Sequence, residues 1–151
     1  MNVSPHPLSW VHFAGGAVAA VLLAAALVHV YWALGGRLAL IAAVPERDGK
    51  PVFRPRARPT AAVAAALGLC AVLALLASGW LALDIPRWLV VMPTWAVAAI
   101  FALRAVGDCR YVGFAKRVRG SRFARMDDLL YAPLCALVAA ALSFVLLAGP
   151  R

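Results

Sequence analysis

The chain has 151 residues, of which 65% are hydrophobic and 14% charged, with a formal net charge of +9. A soluble domain usually has roughly 45–50% apolar residues and about 25% charged ones, so the composition excludes an ordinary water-soluble domain. The charge does not point to nucleic acid. The basic residues fall in short segments tethered between apolar blocks, where the fitting partner is an anionic membrane leaflet.

A bilayer core about 30 Å thick is crossed by roughly twenty apolar residues in a helix. The first such run covers 10–34, with His29 as its only strongly polar interior residue. No Lys or Arg precedes it, and no small-residue cleavage pattern follows, so it reads as a retained span rather than a signal peptide. Behind Gly35 and Gly36, "RLALIAAV" suits a short interfacial segment. "PERDGKPVFRPRARP" then reads as a turn at Asp48-Gly49 followed by a proline-stiffened strand or coil.

The second span covers 60–83, and the tight Asp84-Ile85-Pro86-Arg87 turn leads to the third, 88–107. A basic segment, "YVGFAKRVRGSRFARMDD", places Phe114 and Val118 at helical spacing, as for a piece lying on lipid headgroups. The fourth span covers 129–148, with Asp127 and Asp128 opening its helix at the positive end of the dipole. Ala and Leu dominate all four runs, and each is too long for one strand. The expected fold class is all-α: a polytopic integral membrane four-helix bundle forming a single domain.

Thirteen of the fifteen Lys and Arg residues lie in the two long loops or at the span ends beside them. Only Arg87 and Arg151 fall on the other side. The positive-inside rule therefore expects both loops in the cytoplasm and both termini outside. Trp10, Trp80 and Trp88 then fall at the outer boundary, while Tyr31, Trp32, Tyr111 and Tyr131 fall near the inner one. The expected location is a plasma membrane with anionic lipid on its cytoplasmic face.

Arg104 and Asp108 stand at i, i+4 and so share a helix face. His29, Arg104, Asp108 and Tyr131 come to similar depths near the cytoplasmic end, with Trp32 on the same stripe as His29. Two readings stand. Arg104 snorkels to the interface with Asp108 as partner and His29 is satisfied by a neighbouring carbonyl, or these residues form a polar pocket. No metal site is expected, since the chain has only three histidines. Haem held by His12 and His29 is excluded, because they lie on one helix roughly 25 Å apart. No cofactor is implied, and Cys70, Cys109 and Cys135 suggest no disulfide framework.

"HVYWALGG", "VPERDGKPVFRP" and "LRAVGDCRYVGFAKRVRGSRFARMDDLLYAPLC" together resemble a bacterial membrane family catalogued as domain of unknown function 3995. The resemblance covers nearly the whole chain and implies a small four-span membrane protein without an assigned reaction. His29, Tyr31, Trp32, Gly35, Gly36, Arg104, Gly107, Asp108, Arg110, Tyr111, Gly113 and Phe114 carry it.

The leading expectation is a binding or transport-accessory protein that holds an anionic lipid headgroup or small anion. Arg104 and Arg110 would meet the charge, Asp108 would orient Arg104, and His29 and Tyr131 would hydrogen-bond the ligand, with Trp32 and Tyr111 beside them. The alternatives are a membrane enzyme acting on a lipid or quinone-like substrate with His29 as acid/base, and a structural subunit packed against a membrane protein partner.

Overall fold

The computed structural model describes residues 7–47, 50–51, 53 and 55–149. Helix α1 runs Pro7–Ala33, the short α2 Leu40–Ala43, α3 Ala57–Ser78 and α4 Trp88–Val106. Helix α5, Arg122–Met126, passes through a π-helical turn, Asp127–Tyr131, straight into α6, Ala132–Ala148. Four continuous helices, Trp10–Ala33, Ala57–Ser78, Trp88–Val106 and Arg122–Ala148, are long and apolar enough to cross a membrane. The chain is an all-α, multi-pass membrane protein.

The helices form two hairpins, α1 with α3 and α4 with α6, and α1 also packs against α6. The core joins Val18, Ala19 and Leu22 to Ala71, Ala74, Val97, Ala98, Val138 and Leu142. Most of these are small. Lipid tails are as apolar as leucine, so helices in a bilayer associate through close packing rather than through escape from water. Gly15 shows how close: a Cβ there would collide with the Ser78 side chain. The Ser78 hydroxyl donates back to Ala74 O at 2.7 Å, which satisfies it without a partner helix.

Two helix boundaries and one loop segment differ from the sequence expectation. Span two ends at Ser78 rather than at residue 83. Gly79 adopts φ 83° and the Trp80 N–H donates to Leu75 O at 2.9 Å, a left-handed stop that releases the chain early. Trp80 then fixes the connection by donating from Nε1 to His12 O at 2.7 Å.

The fourth helix begins at Arg122, seven residues before the expected span and five before the expected helix opening at Asp127. Ser121 caps it, its Oγ accepting the Ala124 N–H at 3.0 Å. Asp127 and Asp128 therefore lie inside the helix, not at its opening. The basic segment with Phe114 and Val118 is not helical either: 107–121 is a chain of turns. Gly107 and Gly113, at φ 94° and 78°, let its two arms cross so closely that neither has room for a Cβ.

In the first loop, Glu46 and Arg47 pair with Pro51 and Lys50 in a two-residue antiparallel ladder. The expected turn residues Asp48 and Gly49 lie outside the described residues. Helix α2 packs on α5, so the two long loops touch at one end of the bundle.

Candidate functional site

At that end the expected single constellation divides in two. The first centre is built around Asp127, which is fully buried. Its Oδ1 receives Arg104 Nη2 at 2.8 Å, and its Oδ2 receives Lys116 Nζ at 3.0 Å and the Gly113 N–H at 2.7 Å. Lys116, 2% exposed, also donates to Gly113 O at 3.1 Å and to Asp128 Oδ1. Arg119 approaches Asp128 from the rim at 3.8 Å. Arg104 Nη1 is enclosed with no hydrogen-bond partner among the described residues.

The π-helical turn explains why Asp127 reaches this position. Widening the helix at Asp127–Tyr131 rotates the carboxylate toward α4 while Tyr131 lies against Phe123, ring centroids 6.1 Å apart. Arg104, Lys116, Asp127 and Asp128 thus make an ion-pair cluster, enclosed at Lys116 and Asp127 and partly exposed at Arg104 and Asp128, that ties α4, the second loop and the fourth helix together. A carboxylate alone at this depth would be costly, and its three donors offset that cost.

Asp108 does something else. One carboxylate oxygen accepts the N–H groups of Arg110, Tyr111 and Val112 at 2.8, 2.7 and 3.0 Å. Desolvation raises the Asp108 pKa, but the N–H groups of Val112, Arg110 and Tyr111 together outweigh it and hold the carboxyl below its ordinary range. The expected Arg104–Asp108 pair is replaced by Arg104–Asp127, because α4 ends at Val106 and leaves Asp108 in the turn. Arg110 stacks its guanidinium over the Tyr111 ring at 5.1 Å, close to its exposed surface position.

The second centre is a cavity of about 330 Å³ lined by His29 and Trp32 of α1, by Leu40, Ala43, Val44, Phe53, Pro55 and Arg56, and by Pro59, Thr60 and Val63 of α3. No residue of α4 or α6 lines it. His29 and Trp32 meet edge to face with centroids 5.0 Å apart. His29 Nδ1 lies 2.8 Å from Ala25 O, so this nitrogen carries the proton, since a carbonyl only accepts. Trp32 Nε1 donates to Leu38 O at 2.9 Å and the Thr60 hydroxyl to Arg56 O at 2.8 Å. Among the described lining residues, the side-chain groups for which no hydrogen bond is found are His29 Nε2 and the Arg56 guanidinium.

The structure therefore brings His29 to Trp32, and Asp108 to Arg110 and Tyr111. It separates both groups from Arg104. Among the described residues no cluster of three or more His, Cys, Asp or Glu could hold a metal ion.

The family model described as "Protein of unknown function (DUF3995)" matches residues 22–142. The chain belongs to this family. Neither the curated proteins nor the solved structures contain a match to it. The matched segment of this family member takes in both centres, from His29 and Trp32 through Arg104 and Lys116 to Asp127 and Tyr131.

Sequence reasoning passed over Asp127, Lys116, Gly113 and Arg56 as site residues. One signal was available for Asp127. The second loop and its flanks hold only three acids, Asp108, Asp127 and Asp128, against seven basic residues. A helix-borne Arg104 must take one of them.

Proposed function

We propose that this protein binds a membrane amphiphile with an anionic headgroup in the cavity between α1, α3 and the first loop. The observation that carries the reading is the cavity's lining. Trp32, Leu40, Val44, Phe53 and Val63 offer apolar surface, and among the described lining residues Arg56 carries the one charged side chain and none is an acid. Binding sites for small molecules have this character: apolar walls with a few polar groups that set orientation. Arg104 and Lys116 are already paired with Asp127 and Asp128, so we read this cluster as the brace of this end of the bundle rather than as the anion site.

The same reading takes the protein to lie in the bacterial inner membrane with both long loops in the cytoplasm and both termini outside. The distribution of basic residues supports that orientation, and it sets the cavity at the level of the anionic leaflet's headgroups. Exposed Arg110, Arg117, Arg119, Arg122 and Arg125 add a basic rim.

The test is native mass spectrometry of the full chain released from detergent. Lipid retained by the wild type should be lost from Ala43→Phe, which fills the cavity without adding charge. Equal retention by a folded Ala43→Phe variant would place the lipid elsewhere and overturn the reading.

A further inference from the structure

Among the described lining side chains, the two groups without a hydrogen bond, His29 Nε2 and the Arg56 guanidinium, differ in kind. An arginine guanidinium only donates hydrogen bonds, and it carries a fixed positive charge. His29 is the reverse. Its Nδ1 proton is committed to Ala25 O at 2.8 Å, so the neutral ring presents Nε2 as an acceptor only. The other donors of the lining, Trp32 Nε1 and the Thr60 hydroxyl, are spent on Leu38 O and Arg56 O. A bare anion would satisfy Arg56 and leave Nε2 facing another acceptor. A neutral alcohol would satisfy Nε2 and leave the guanidinium alone.

From this complementarity we infer that the ligand is an anionic phospholipid whose headgroup carries its own hydroxyl, as a glycerol headgroup does. The phosphodiester pairs with Arg56, the headgroup O–H donates to His29 Nε2, and the upper acyl chain lies along Trp32, Val44 and Val63. This assignment rests on the binding reading above and adds the chemistry of the headgroup to it. His29 is then the residue that tells a hydroxylated headgroup from a blocked one, and Arg56 the residue that tells an anion from a zwitterion.

The experiment uses the full chain in phosphatidylcholine vesicles at mildly alkaline pH. Three lipid probes, brominated near the headgroup end of the acyl chain, are titrated in: phosphatidylglycerol, phosphatidylmethanol and phosphatidylcholine. Bromine quenches tryptophan on contact, and the Trp32 signal is isolated as the difference between wild type and Trp32→Phe. The glycerol probe should quench Trp32 at a mole fraction roughly two- to tenfold lower than the methanol probe, the range one net hydrogen bond supplies. Both should exceed phosphatidylcholine. His29→Phe should erase the glycerol-over-methanol preference and keep the preference for anions. His29→Gln, which restores an acceptor, should recover it, and Arg56→Gln should erase the anion preference.

Equal potency of the glycerol and methanol probes in the wild type, with both above phosphatidylcholine, would overturn the hydroxyl assignment and leave the anionic-lipid reading standing. Equal quenching by all three probes would overturn both.

Discussion

Lys116 Nζ sits 3.0 Å from Asp127 Oδ2, and both side chains are fully enclosed although eleven residues separate them. One belongs to a loop of turns and the other to a membrane-spanning helix. Breaking such a pair on one side leaves an uncompensated buried charge, which costs about 3–5 kcal/mol. Asp127→Asn is expected to destabilise the bundle by that order, since it leaves Arg104 without its carboxylate and Lys116 with Asp128 alone. Asp128→Asn should cost far less, because its carboxylate is partly solvated. Denaturation in detergent, followed by helical circular dichroism, gives both values. A loss for Asp127→Asn as small as that for Asp128→Asn would remove the cluster from its bracing role.

His29 lines the cavity and Asp108 holds a turn of the second loop, so their effects should be independent. Asp108→Asn and His29→Ala are expected to add within about 0.3–0.5 kcal/mol, as distant sites do. Asp127→Asn and Lys116→Met should instead show an interaction energy of about 0.5–3 kcal/mol. Coupling between His29 and Asp108 of that size would mean the cavity and the second-loop turn act as one.

Acid should loosen the second loop through Asp108. Its folded-state pKa lies below the unfolded value, which is about 3.9. The stabilisation is therefore present above that pH and disappears as pH falls through the depressed folded value. Amide exchange at Arg110, Tyr111 and Val112, whose N–H groups the carboxylate holds, should accelerate relative to helix-core amides over that acid window. In Asp108→Ala the same three amides should exchange quickly at neutral pH, with no further acid-dependent step. Protection that persists in this variant would assign the turn to other bonds.

Gly113 is a conformational requirement of the brace. It combines φ 78° with an N–H donated to Asp127 at 2.7 Å, and an added Cβ would strike Val106 O of the crossing arm. A non-glycine residue in this region costs about 1–3 kcal/mol before any clash is counted. Gly113→Ala should destabilise by at least that amount, whereas Gly120→Ala pays only the backbone term because nothing lies within 4 Å. Comparable losses at the two positions in chemical denaturation would show that the crossing is not tight.

The native cysteines offer a test of orientation. Cys109 is exposed on the second loop, while Cys70 and Cys135 are partly buried in spans. With that loop in the cytoplasm, a membrane-impermeant thiol reagent should leave Cys109 unmodified in intact cells and label it after permeabilisation. Cys109→Ser supplies the control. Labelling of Cys109 in intact cells would invert the orientation.

The sequence by itself determined the environment and the number of crossings. Hydropathy and span length are local properties matched to a bilayer of fixed thickness, so four runs of Ala and Leu were legible without any tertiary contact. Boundaries were less so, because Gly79 and Ser121 act through one backbone conformation and one hydroxyl.

The charge pairing was decided only by tertiary structure. Arg104 had three acids within reach of the second loop, and helical spacing favoured Asp108. The early end of α4 put Asp108 in a turn, and the π-helical turn aimed Asp127, 23 residues from Arg104, at the guanidinium instead. His29 likewise showed its depth in the sequence but not its direction. That depends on how α1 packs against α3, which turns the imidazole to the first loop and the free Arg56 rather than to Arg104. Residue spacing fixes which side chains share a helix face, and only the packing of helices and loops fixes what that face meets.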